Sequence, residues 1–182
     1  MLLIQMTGLS GSGKSSIANI SREALTRLGY KVELLDGDDC RRQFCHDLSF
    51  SKADRLENIQ RLGFVGLILA KNGVITILAA INPYEEARAA LENKSPLTKT
   101  VFINCPLAVT VQRDPKGLYR KALLPPDHPD HIAHFTGISD PYEPPDQPDL
   151  AIETHAETKE QSAQRLTDFI LLTIGQQSET II

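Results

Sequence analysis

The chain has no apolar run long enough to span a bilayer, so a membrane partner is not expected. It has no excess of positive charge either. Nineteen Lys and Arg against 23 Asp and Glu leave a net charge of −4, which is not the footprint of a nucleic-acid binder, although a local basic cluster can still hold an anion. Cysteine is scarce. Cys40, Cys45 and Cys105 form an odd set without C-x-x-C spacing, which argues against a disulfide scaffold and for a reducing compartment, with the cytoplasm as the expected location. Their simplest role is as small apolar side chains, although Cys40 and Cys45 are near enough in sequence for a redox pair to be considered. The opening MLLIQMTG lacks a basic segment and runs straight into a glycine loop, so it is expected to be a first strand and not a signal peptide. No internal repeat or domain boundary is visible. Residues 1–182 are expected to form a single domain, a length that can bury a sizeable core.

What is present is an alternation of strand and helix. Residues 2–7, 31–36, 74–80, 100–105 and 149–154 read as strands, and 74–80 is nearly all apolar, as for a strand covered on both faces. Helices are expected over residues 15–28, about 38–45, 51–73, 84–91, 107–113 and 159–173, with the last eight residues frayed. Ser51 is a plausible N-cap with Asp54 as a capping-box variant, and the second half of the helix it starts is apolar all round and so expected to be buried. Residues 115–148 are rich in proline, aspartate and histidine and read as a lid. Such a pattern implies right-handed βαβ crossovers: an α/β fold with a parallel five-stranded sheet flanked by helices. Ligands of such sheets bind beyond the carboxyl ends of the strands, where the connecting loops meet.

One of those loops is Gly8-Leu9-Ser10-Gly11-Ser12-Gly13-Lys14-Ser15, which matches G-x-x-x-x-G-K-[ST]. Glycines let successive amides curl toward phosphate oxygens, and the helix that follows adds its own unpaired N–H groups and dipole. Lys14 reaches the terminal phosphates of a nucleotide and the Ser15 hydroxyl ligates Mg²⁺. The strand ending in Asp36-Gly37-Asp38-Asp39, with Arg41 and Arg42 behind it, would set carboxylates beside this loop. There they bind Mg²⁺ through water or take a proton from an attacking hydroxyl, beyond merely complementing a helix dipole. Arg55, Asn58 and Arg61 recur every three residues, which suits either an anion and ribose clamp or a solvated face with internal ion pairs. The guanine-reading NKxD element is missing. NKSP at residues 93–96 lacks its aspartate, so a small-molecule kinase fits better than a GTPase switch.

Taken together, DGDDCR at Asp36, LSFSKADRLENIQR at Leu48, INPYEEAR at Ile81, NCPLAVTVQRDPKGLYRKA at Asn104 and FTGISDPYEPPDQPDL at Phe135 resemble the adenylylsulfate kinase (APS kinase) family over nearly the whole chain. The resemblance implies a three-layer P-loop kinase fold with a lid. It implies transfer of the γ-phosphate of MgATP to the 3′-hydroxyl of adenosine 5′-phosphosulfate (APS), giving PAPS and ADP. It assigns Gly8, Ser10, Gly11, Ser12, Gly13, Lys14, Ser15, Ser16 and Arg113 to ATP, and Ser15 and Asp36 to Mg²⁺. Asp38, Arg41, Phe50, Arg55, Asn58, Ile81, Asn82, Lys116 and Phe135 fall to the acceptor, with Phe50 and Phe135 sandwiching its adenine. Asp36, Asp38, Lys14 and Lys116 would carry the catalysis. A homodimer and a functional link to ATP sulfurylase belong to the same implication.

The chain departs from that family in three places. Asn82 stands where a serine is usual, so a phosphoserine intermediate cannot form there. Asp39 replaces a common asparagine and would add negative charge next to the substrates. The lid is lengthened by LLPPDHPDHIAH, whose His128, His131 and His134 alternate with Asp127 and Asp130 in the superficial manner of a metal site. The spacing reads better as a solvated loop. Two other readings compete: a kinase of the same fold acting on another small anionic acceptor, and a non-catalytic nucleotide-binding partner of ATP sulfurylase.

Overall fold

The computed structural model describes residues 1–179. Five strands, β1 (Leu3–Thr7), β2 (Val32–Asp36), β3 (Ile75–Ala79), β4 (Thr98–Asn104) and β5 (Leu150–Glu153), form one parallel sheet in the order β2-β3-β1-β4-β5. Among the described residues seven helices accompany them: α1 (Lys14–Arg27), α2 (Gly37–Phe44), α3 (Lys52–Lys71), α4 (Glu85–Lys94), α5 (Leu107–Arg113), α6 (Leu118–Ala122) and α7 (Lys159–Glu179). The expected α/β architecture of helix, parallel sheet and helix is therefore present.

Alternation along the strands divides the interior. Leu2, Ile4 and Met6 face one side with Ile75, Ile77, Val101, Ile103 and Ile152, and pack with Ile17 and Leu25 of α1 and Leu166 and Ile170 of α7. Leu3 and Leu78 face the other side and meet Leu62 and Leu67 of α3 and Leu91 of α4. The second face also carries Gln5, Thr7, Thr76 and Thr100, all buried. Their polar groups require partners there.

Register brings the strand ends level. Asp36 of β2 lies opposite Ala79 of β3, which in turn lies opposite Met6 of β1, one residue before the phosphate loop's strand ends at Thr7. In a parallel sheet all five carboxyl ends point the same way, so the loops after β1, β2, β3 and β4 converge on one edge.

Three expectations need correction. The second half of α3 is not buried all round: Phe64 and Ile68 point to solvent, 65% and 46% exposed. Only the side bearing Gly63, Gly66, Leu67 and Ala70 meets the sheet and α4, and apolar composition cannot say that just one side is covered. The closing helix runs on to Glu179 instead of stopping at residue 173, with Ile174 still packed on the core; the remainder of the tail expected to fray, residues 180–182, lies outside the described residues. Within residues 115–148, read as irregular, α6 forms because Gly117 adopts a left-handed φ of 66° and the Asp114 carboxylate accepts from the amides of Tyr119 and Arg120, each at 3.0 Å. The N-cap of α3 is as expected. Ser51 Oγ accepts from the Asp54 amide at 3.2 Å, although Asp54 reaches back to the Ser49 amide (3.1 Å) and not to that of Ser51.

Candidate active site

At the carboxyl edge of the sheet lies a cavity of about 750 Å³. Its walls come from the loops after β1, β2 and β3, from α2 and α3, and from the segment between β4 and β5. Of the residues that the resemblance assigns to ATP, Mg²⁺, the acceptor or catalysis, only Gly8 and Ser12 are not on its wall.

The loop after β1 forms one end. Gly11 and Gly13 have φ of 72° and 104°, left-handed values that a side chain would strain. Gly13 is the N-cap of α1 and offers no side-chain cap, so the first amides of that helix have no capping partner at an end suited to anions. Lys14 is folded inward. Its Nζ donates to the carbonyls of Gly8 and Leu9, both at 2.7 Å, and to Ser12 Oγ at 3.3 Å. Gly8 and Ser12 thus sit behind the lysine and hold it. Burial, followed by the nearby charge of Lys116, pulls the Lys14 ammonium down to about 7, against the opposing pull of Asp38 and Asp36.

Asp36 serves twice. One carboxylate oxygen accepts from Ser15 Oγ at 2.7 Å, and the other caps α2 through the amides of Asp38 (3.0 Å) and Asp39 (3.4 Å). Capping therefore uses only half of the group, and it is Asp36, not Asp38 or Asp39, that does it. Asp38 is ion-paired with Lys116, which reaches across from the turn before α6. Asp39 corrects an expectation: its carboxylate is taken by Arg42 and is not on the cavity wall, so it adds no charge there. The Ser15 hydroxyl and the Asp36 carboxylate are adjacent hard oxygens beside the loop. They fit Mg²⁺, which typically takes one or two protein oxygens and fills its shell with water and phosphate.

The other end is aromatic and basic. Arg41 donates to the carbonyls of Leu48 (3.2 Å) and Ser49 (2.9 Å), and its guanidinium lies 4.5 Å from the Phe50 ring centre. Arg55, buried, lies 5.5 Å from the same ring and donates to the carbonyls of Phe50 (2.9 Å) and His134 (2.5 Å), with Asp140 at 3.6 Å. Burial lowers the pKa of both guanidiniums, each remaining charged. Phe50 is 55% exposed, whereas Phe135 is buried edge-on against Tyr119 at 4.9 Å. Arg61 does not join this group; it is spent on Asp47 and Glu57, both at 2.8 Å, on the outer surface of α3. Arg113, from the end of α5, donates to the Thr154 carbonyl at 2.8 Å.

Among the described residues four buried side-chain polar atoms have no partner: Asn58 Oδ1, Thr76 Oγ1, Asn82 Oδ1 and Thr136 Oγ1. Three of those residues, Asn58, Asn82 and Thr136, line this cavity. Unpaired buried groups are costly, and their gathering in one place marks a surface made for a polar ligand. Thr136 was not among the residues picked from the sequence. Its only signal was its place beside Phe135 in the FTGI run. The three histidines of residues 123–134 have separate partners: His128 accepts from the Asp130 amide (3.1 Å), His131 meets the Leu124 carbonyl (2.8 Å) and His134 meets Asp140 (3.2 Å).

The cavity therefore combines a phosphate-shaped loop, two lysines, two carboxylates at a strand end, and a flat apolar end edged by arginines. That arrangement can hold a nucleotide polyphosphate against a second, ring-bearing anion. Comparison with known proteins agrees. A family model for adenylylsulphate kinase matches residues 1–153. The adenylyl-sulfate kinase of Chloroflexus aurantiacus is 49% identical over 153 residues, 84% of this chain and 80% of that protein. That of Deinococcus deserti is 44% identical over 168 residues, 92% of this chain and 90% of its own. The solved structure of the Mycobacterium tuberculosis APS kinase CysC in complex with AMPPNP and APS aligns with a TM-score of 0.86 at 39% identity, covering 93% of this chain and 96% of that one. The chain belongs to the adenylylsulphate kinase family.

Proposed function

We propose that this chain transfers the γ-phosphate of ATP to the 3′-hydroxyl of adenosine 5′-phosphosulfate, giving PAPS and ADP. The observation that carries the reading is the meeting, in one cavity, of the phosphate loop with Asp38 and with the unpaired groups of Asn58, Asn82 and Thr136.

In this reading the amides of Gly11, Gly13, Lys14, Ser15 and Ser16, with the Lys14 ammonium, hold the triphosphate, and Arg113 contacts the donor adenine. Arg41, Arg55 and Asn58 hold the phosphosulfate and ribose of the acceptor, while Phe50 and Phe135 flank its adenine, whose faces are large and apolar. The acceptor's 3′-oxygen attacks the γ-phosphorus, the bond from that phosphorus to the β,γ-bridging oxygen breaks, and the hydroxyl proton passes to the Asp38 carboxylate. Lys116, paired with Asp38, is placed to exchange that carboxylate for the migrating phosphoryl group. Ser15 and Asp36 would hold Mg²⁺, which neutralises charge on the phosphate oxygens. Residues 115–148 act as the lid that keeps water from the γ-phosphate.

The test is direct. Incubated with MgATP, the protein should form ADP in proportion to added adenosine 5′-phosphosulfate. ADP formation indifferent to that acceptor, or supported equally by another small anion, would remove the assignment. A cytoplasmic location, suggested by three free buried thiols, a homodimer, and supply of the acceptor by ATP sulfurylase complete the proposal. Sedimentation velocity checks the dimer.

A further inference from the structure

A buried polar chain crosses the second face of the sheet and ends at the cavity. Gln5 of β1 is fully buried. Its Nε2 faces three oxygens: the Arg88 carbonyl at 3.0 Å, Thr100 Oγ1 at 2.8 Å and Glu92 Oε1 at 3.4 Å. Thr100 gives its own hydroxyl proton to Glu92 and so can only accept from Gln5. Reversing the Gln5 amide would set its oxygen against a carbonyl and a carboxylate. Its orientation is therefore fixed, with Oε1 turned away from that cluster.

Oε1 receives Nδ2 of Asn82 at 3.2 Å. Asn82 is 1% exposed and has a left-handed φ of 44°, a conformation asparagine tolerates better than most residues. Its backbone is held as well, since its carbonyl accepts from Thr7 Oγ1 (3.0 Å) and Arg88 Nη1 (2.9 Å). With Nδ2 committed to Gln5, the other end of the carboxamide, Oδ1, is the end without a partner, in a residue on the cavity wall.

We infer that Gln5 is a positioning residue for the acceptor. It acts through Asn82, fixing that carboxamide so that the acceptor substrate meets a hydrogen-bond acceptor and not a donor. The recognised group is then a hydroxyl or an amino group of the acceptor nucleotide. A serine at residue 82 could rotate its hydroxyl to either role, so the dependence on Gln5 belongs to the asparagine. The inference rests on the reaction proposed above.

A double-substitution cycle on the full chain tests it, with KM and kcat measured for both substrates. Gln5→Met, close in size but unable to accept a hydrogen bond from Asn82 or donate to Arg88, is expected to raise KM for adenosine 5′-phosphosulfate about tenfold, as for one misplaced buried hydrogen bond, with KM for ATP changed less than about twofold. In an Asn82→Ser background the same substitution is expected to change that KM less than about twofold. An equal rise in both backgrounds, or a parallel rise for ATP, would reduce Gln5 to a structural role. So would an unchanged acceptor KM in folded Gln5→Met. If Gln5→Met does not fold, Thr100→Val, which removes one partner of Nε2 without exposing Gln5, decides the same question by the same background dependence. Absence of acceptor-dependent ADP formation by the unsubstituted chain is a separate result, and it counts against the proposed reaction and not against the Gln5–Asn82 coupling.

Discussion

Asp38 and Lys14 show how burial and pairing set the chemistry of single side chains. Among the described residues Asp38 makes no capping bond and has Lys116 as its one ion-pair partner, so Asp38→Asn removes the proposed proton acceptor without disturbing the start of α2, which Asp36 holds. Turnover should fall by about 10²–10⁴ while ATP affinity stays within a few-fold, as read by single-turnover assay and calorimetry; near-normal turnover would remove Asp38 from proton transfer. Lys14 titrates near 7 in the folded chain, against about 10.4 when unfolded. Between those values the unfolded chain binds more protons, so this group makes folding stability rise with pH across that window. ATP supplies negative charge that restores the proton. Calorimetry of ATP binding at pH 8 in buffers of different ionisation enthalpy should therefore show net proton uptake approaching one, and Lys14→Met should abolish it. Thr136→Val, which deletes an unpartnered hydroxyl, should raise KM for the acceptor and leave KM for ATP unchanged.

At the scale of elements, two helical glycines give opposite expectations. Gly63 of α3 lies against α4. A Cβ there would overlap Leu91 Cδ2 and come within 2.7 Å of Cδ1. Gly63→Ala should cost about 1–2 kcal/mol by urea denaturation, because overpacking outweighs the gain in helix propensity. Gly175 in α7 has nothing within 4 Å of the same added atom, so Gly175→Ala should gain up to about 1 kcal/mol. In the sequence Gly63 stood inside an expected helix and Gly175 opened the tail expected to fray, so neither effect could be read there. The existence and order of the strands and longer helices were legible, because period-2 and period-3.6 patterns, Ser51 and the glycine stops are local signals. Helix α6 was not, since its first turn depends on Asp114 turning back onto the amides of Tyr119 and Arg120. Nor was the exposure of Phe64 and Ile68, because which side of α3 is covered is a property of its neighbours.

For the molecule as a whole, the cavity is shared between the sheet edge and residues 115–148. Tyr119, Ala122 and Phe135 give that segment a small core of its own, and it is tied to the rest through Arg55 to the His134 carbonyl, Lys116 to Asp38 and Tyr119 Oη to the Ser10 carbonyl. If it is a lid, binding of both nucleotides should slow hydrogen exchange at residues 115–140 well beyond the effect of ATP alone. Equal protection by ATP alone would leave the segment as a fixed wall.

By itself the sequence determined the α/β alternation, the phosphate loop, the carboxylates at the end of the second strand, and the family. Each rests on neighbours in the chain whose spacing is read in order. Tertiary structure decided which charges are free to act. Arg61, Arg42 and Asp39 are consumed by partners, whereas Asn58, Asn82 and Thr136 are left wanting one. It also decided that Gln5, an unremarked polar residue in an apolar strand, sits behind Asn82. The pairs of Arg42 with Asp39 and of Arg61 with Glu57 are local, three and four residues apart, but spacing alone does not say whether such neighbours pair or turn to a ligand. The Gln5–Asn82 bond joins residues 77 apart, and hydrogen bonds and burial at that range have no trace in local pattern.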